Sequence, residues 1–167
     1  MEKTLCKAKS DLVLSGIGSI AFGIWFFVKT VLYDLFARSY INNLLGLEGT
    51  DGTARPFVMG LWFFASALTM VLHLYVGLRA VSEGTGRGRR RGFFYLILAG
   101  MLLLNNGYGL VFSVHTLASM DGSLLDQICD VMMNAVRLAN LAALLRSVIQ
   151  TRKLTRQAEQ EAKAYAD

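Results

Sequence analysis

Apolar residues in this chain come in four long blocks, at 12–28, 57–78, 93–117 and 124–149, with polar residues gathered between them and at both ends. Each block approaches or exceeds the roughly 17–25 residues with which a helix crosses about 30 Å of hydrocarbon. Alternation at a period of two over about ten residues, which marks a closed transmembrane barrel, is absent. The pattern therefore predicts an all-α integral membrane protein, a four-transmembrane-helix bundle with spans at about 11–36, 56–80, 92–117 and 123–150. Residues 1–150 would form the membrane domain and residues 151–167 a cytoplasmic helical tail, where Glu159 and Lys163 pair at a spacing of four.

Local signals sharpen these boundaries. Ser10 and Asp11 are placed to cap the first span. Pro56 falls in the first turn of the second. Ser123, with Asp126 three residues on, has the form of a capping box at the start of the fourth. Residues 40–55 hold the turn formers Asn42, Asn43, Gly46, Gly49, Asp51 and Gly52. Ser15, Ser19 and Gly23 recur every four residues on the first span, and Ala65, Thr69, His73 and Gly77 do so on the second. Such small-residue faces let helices approach closely.

Composition agrees with the pattern: 54% of residues are apolar and 17% charged, against about 25% charged in a typical soluble domain. The net charge of +5 is unevenly placed. Lys3, Lys7 and Lys9 precede the first span. Arg79, Arg87, Arg89, Arg90 and Arg91 stand between the second and third, and Arg146, Arg152, Lys153, Arg156 and Lys163 close the chain. The two opposite connections hold Lys29, Arg38 and Arg55. By the positive-inside rule both termini and the middle loop are cytoplasmic, and the expected setting is a bacterial plasma membrane. Arg87, Arg89, Arg90 and Arg91 are then placed for anionic lipid headgroups rather than nucleic acid. The first span outlasts a cleavable signal core and reads as a retained anchor. Cys6 and Cys129 lie too far apart in this topology to bridge within one chain. No cysteine or histidine cluster calls for a metal or cofactor.

Candidate chemistry lies inside the spans. Asp130, Asn134, Arg137 and Asn140 recur at spacings of three and four, so a helix gathers them on one side. A lipid-facing arginine costs about 2.5–3.5 kcal/mol even on the lenient insertion scale, so Arg137 must find partners within the bundle. Helix rise puts Arg137 near the midplane and Asp130 about 10 Å closer to the outside. Asn105, Asn106 and Tyr108 of the third span fall at a matching depth, and His73 lies about 7–10 Å from the inner surface. Together these residues make a polar thread. It is either a hydrated pathway or a hydrogen-bond network that fixes the packing. Gly107, Tyr108 and Gly109 share letters with a potassium-channel filter, but a continuous apolar run flanks them, which suits close helix packing better.

Nucleophile motifs, the HExxH pair, the phosphate loop and the dinucleotide fingerprint are all missing from the sequence, so an enzyme is not expected. Four spans with Arg137, Arg146 and Arg152 on a three-residue grid resemble a voltage-sensing domain. Positions 140, 143 and 149 of that grid hold Asn, Ala and Ile, and the second and third spans lack counter-charges, so the likeness is one of architecture. Length, topology and the Asp11-led first span also resemble the small membrane subunits of tripartite solute transporters. The leading expectation is a small channel-like or transporter-like protein, a homo-oligomer or part of a larger membrane complex. The alternative is a non-transporting accessory or assembly subunit.

Overall fold

The computed structural model describes residues 2–36, 54–86, 92–119 and 124–164. They form four helices: α1 (Glu2–Phe36), α2 (Ala54–Gly84), α3 (Phe94–Ser119) and α4 (Leu124–Ala164). All four are long and apolar enough to cross a membrane, which is the architecture of a multi-pass integral membrane protein. Helices are the expected answer to such a sequence, because hydrocarbon offers no partner to an unpaired backbone amide. The expectations for the connection at 40–53, for Arg87, Arg89, Arg90 and Arg91, and for Ser123 with the side chain of Asp126 lie outside what the structure describes.

One boundary differs from the sequence reading. α1 starts at Glu2, so Ser10 and Asp11 sit well inside it and cap nothing. The reason is local: residues 2–9 are mostly good helix formers, and Ala8 and Leu12, four apart, are both buried. α4 runs without a break for 41 residues, about 60 Å, and carries residues 151–164 as part of the same helix. The chain leaves α2 through Gly86, whose φ of 74° is left-handed backbone that suits glycine at a helix end.

Consecutive helices run antiparallel and form a ring. α1 packs most extensively on α2 and next on α4; α3 packs on α4 and more lightly on α2. The α1–α2 seam is the tightest. A Cβ built on Gly77 would lie 2.6 Å from the Gly16 carbonyl oxygen, and one on Gly16 would lie 2.9 Å from that of Gly77. Only glycine at both places permits this approach. Of the small-residue stripes read from sequence, Ser15, Ser19, Gly23, His73 and Gly77 are buried. Ala65 and Thr69 are not part of the seam: Ala65 is exposed, and Thr69 turns its hydroxyl back to the Ala65 carbonyl of its own helix. Ser66, one position on from Ala65, is buried instead.

The bundle has two unlike halves. Near the chain termini, Leu12, Val76, Ala80, Tyr95, Ala99, Leu102, Leu141, Leu144 and Val148 make one apolar cluster. Between membrane helices such a cluster holds by close van der Waals contact, since lipid is as apolar as leucine. Towards the far end the buried positions turn polar: Ser19, Thr30, Ser66, His73, Asn106, Gln127 and Arg137. Outside, the bundle is oily. In the most apolar stretch of α2 only 11% of residues are buried, and Phe57, Leu61, Phe64, Leu68 and Val71 all face outward.

Candidate functional site

The site is built mainly on α4 and α1, with α2 behind them. Spacings of four, three and three place Asp130, Asn134, Arg137 and Asn140 along one strip of α4, answered by α1 at three levels and by α3 at Asn134. At the far end the Lys29 ammonium pairs with the Asp130 carboxylate and lies 5.0 Å from the centre of the Tyr33 ring. Lys29 turns sideways onto α4, where a carboxylate is within reach. One level down, the Asn134 amide donates to Ser113 Oγ of α3 at 2.8 Å, and that hydroxyl donates to the Gly109 carbonyl at 2.8 Å. At the lower end of the strip the Asn140 amide donates to the Ser15 carbonyl at 3.1 Å, tying α4 to α1.

Arg137 sits between these levels, only 7% exposed. Its guanidinium stacks 4.8 Å from the centre of the Phe26 ring. It makes one long hydrogen bond, 3.5 Å from Nη1 to Asn134 Oδ1. Its Nε is buried with no hydrogen-bond partner. Among the described residues no carboxylate pairs with it. A guanidinium carries five donors, so most of its capacity is unspent. Ring contact supplies part of the missing stabilisation, since a desolvated cation on an aromatic face gains about 2 kcal/mol.

His73 lies deeper still, 1% exposed and packed on Gly23 of α1. Its Nδ1 is 3.2 Å from Ser19 Oγ, and its Nε2 is buried without a hydrogen-bond partner. The charge of Arg137 acts on this ring, so the two groups share one electrostatic environment. Thr30 and Ser66 continue the polar seam beyond it, with hydroxyls 3.4 Å apart.

The third helix contributes less than its sequence suggested. Asn106 is buried, but its amide donates to the Leu102 carbonyl of its own helix at 2.7 Å. Asn105 and Tyr108 face away from the bundle, and Tyr108 is 73% exposed. A helix turns 100° per residue, so adjacent Asn105 and Asn106 cannot both face one seam. The thread therefore follows α1, α2 and α4, with Ser113 as the contribution of α3.

A cleft of about 790 Å³ opens between α1 and α4, on the side of α4 turned away from Arg137. Lys7, Asp11 and Arg146 line it near the termini, and Ser15 and Ala139 line it further along the two helices.

A second polar cluster, at the terminal end, was not read from the sequence. Arg152 grips Glu83 with two bonds, Nε to Oε1 at 2.7 Å and Nη2 to Oε2 at 2.9 Å. The same Nη2 donates to the Gly92 carbonyl at 2.8 Å, and the Tyr95 hydroxyl donates to Glu83 Oε2 at 2.5 Å. The guanidinium also lies 5.7 Å from the Tyr95 ring centre. One group thus ties the end of α2, the start of α3 and α4 together. A signal was present: Glu83 is the one acidic residue between Asp51 and Asp121. Phe26 had no such signal, because an aromatic residue beside a membrane surface needs no special reason. Among the described residues no group of three histidine, cysteine or acidic side chains gathers as a metal site would require.

No family model, curated protein or solved structure matches this chain.

Proposed function

We propose that this is a small channel-like or transporter-like membrane protein whose pathway runs along α1, α2 and α4 and centres on Arg137. The observation that carries the reading is a guanidinium buried mid-helix with one long hydrogen bond, an orphaned Nε and no carboxylate partner among the described residues. A bundle that needed only packing gains nothing from this arrangement, since an apolar residue of similar volume avoids the desolvation cost. Ionisable groups held inside a membrane bundle in this way are the usual marks of ion and substrate paths. The termini, with their lysines and arginines, are proposed to lie in the cytoplasm. Lys29–Asp130 then closes the outer side, and the cleft lined by Lys7 and Arg146 opens towards the inner one.

The test is flux through purified protein in liposomes. The expected result is transport that falls with Arg137→Gln and with Asp130→Asn while both variants still insert and fold. Equal flux in all three proteins would sink the proposal.

A second reading has its own observation. Asn105 and Tyr108 expose an amide and a phenol near the middle of α3, on the outside of an otherwise apolar surface. Polar groups facing lipid favour helix association. They suit a subunit that joins a larger assembly, or a homo-oligomer of the transporting form. Asn105→Leu is expected to shift the oligomeric state in mild detergent, and an unchanged state removes this reading.

A further inference from the structure

Resting on the transport reading above, we infer that the site at Arg137 binds a small monovalent inorganic anion, of the size of chloride, bromide or nitrate. The argument begins with charge. On either side of Arg137 the strip ends in a neutral unit: Lys29 with Asp130 at one end, Arg152 with Glu83 at the other. The guanidinium between them carries one positive charge that no described carboxylate balances. In a medium of low dielectric a single unbalanced cation attracts one counter-charge strongly. The pairs above and below are neutral overall, so neither supplies a charge that balances it.

Geometry points the same way. Arg137 Nε and His73 Nε2 are both buried without hydrogen-bond partners. Both side chains pack against the same stretch of α1, His73 on Gly23 and Arg137 on Phe26. The guanidinium offers only donors, which suits an anion and repels a metal cation. Arg137 Nε is shut off from solvent and the guanidinium lies against the Phe26 ring, which favours a compact ion over an organic acid. Two of the three charged residues that line the cleft between α1 and α4, Lys7 and Arg146, are cationic. Such a basic mouth raises the local concentration of anions.

Binding and movement are tested separately. Thermal unfolding of the purified full-length chain is followed by tryptophan emission in sodium gluconate, then in chloride, bromide or nitrate at matched ionic strength. The expected result is a saturable rise in melting temperature with the small anions. In Arg137→Gln the apparent affinity falls by about tenfold or more, the loss of one charge-assisted contact, while Arg137→Lys keeps part of the response. A response that is absent, or equal in the native chain and Arg137→Gln, overturns the anion site. Liposome flux is then measured for chloride and for potassium. Anion binding with no flux overturns the transport reading and leaves the site standing. Potassium flux that depends on Arg137, with no anion response, keeps the transport reading and overturns the anion.

Discussion

Two arginines on one helix, Arg137 and Arg152, divide the molecule between them. Arg152 has a bidentate carboxylate, a backbone carbonyl and an aromatic face. Arg137 has an aromatic face and one amide oxygen at 3.5 Å. Around Arg152 the bundle is closed by apolar packing of Tyr95, Ala99, Leu144 and Val148. Around Arg137 it is lined by amides, hydroxyls and an imidazole. The same side chain therefore serves opposite ends: at one level its donors are used to fix three helices, and at the other they are left for something else. Saturation of donors, rather than burial or charge, separates the two.

Breaking the saturated arginine should have the largest effect on stability. Removing one partner of a buried ion pair typically costs about 3–5 kcal/mol, because the other charge is stranded. Glu83 and Arg152 side chains are 15% and 16% exposed, so Glu83→Ala or Arg152→Ala is expected to lose about 3 kcal/mol. Denaturant unfolding in mixed micelles measures it. The double variant should recover part of the loss, and purely additive losses would show that the bridge is incidental.

A crowding change in the seam that positions His73 comes next. Gly77→Leu puts a side chain where even a Cβ meets the Gly16 carbonyl oxygen and Ile20 Cγ1, each at 2.6 Å. Forcing atoms into a packed interface costs about 1–3 kcal/mol. Gly100 on α3 has nothing within 4 Å of its built Cβ, so Gly100→Leu is the control and should change stability by under about 0.5 kcal/mol. Comparable losses in both variants would mean that the α1–α2 seam is no tighter than the outer surface.

Arg137 is expected to respond with the opposite sign to Arg152. Arg137→Gln removes an unsatisfied buried charge and loses one ring contact. The net is a gain of about 1 kcal/mol, measured in gluconate so that no small anion supports the native chain. A stability gain joined to a loss of flux is the signature of a residue kept for function. A loss as large as that of Arg152→Ala would show Arg137 to be structural, and the contrast between the two would collapse.

How much of this was legible in the residues follows the same division. Four spans were plain because hydropathy is a block property and needs no partner. The Asp130, Asn134, Arg137 and Asn140 strip was legible because helical periodicity is intrinsic to one segment. Partners across helices were not, since rotation about each axis is set by packing. Asn105 could not be told from Asn106, and Ala65 could not be told from Ser66, because adjacent positions differ by 100°. Glu83 was within reach of argument: an isolated acid between basic spans invites the question of which arginine answers it. The early start of α1 is masked in the sequence because Ser10 and Asp11 form a capping signal inside a continuous helix-forming run.

The smallest expected effect concerns Lys29 and Asp130, and it tests whether a closed pair guards the polar half as Glu83 and Arg152 guard the apolar one. These side chains are 27% and 30% exposed, so water screens the pair and its worth is about 0.2–1 kcal/mol. Lys29→Met and Asp130→Asn should each lower stability by no more than that. Their functional effect is separate: if the pair must part for ions to pass, loosening it raises the leak while stability barely changes. Exchanging the two as Lys29→Asp with Asp130→Lys keeps attraction while reversing its polarity, and should restore the native leak. A leak that stays raised in the exchanged protein would show that the lysine on α1 acts through its position rather than its partner.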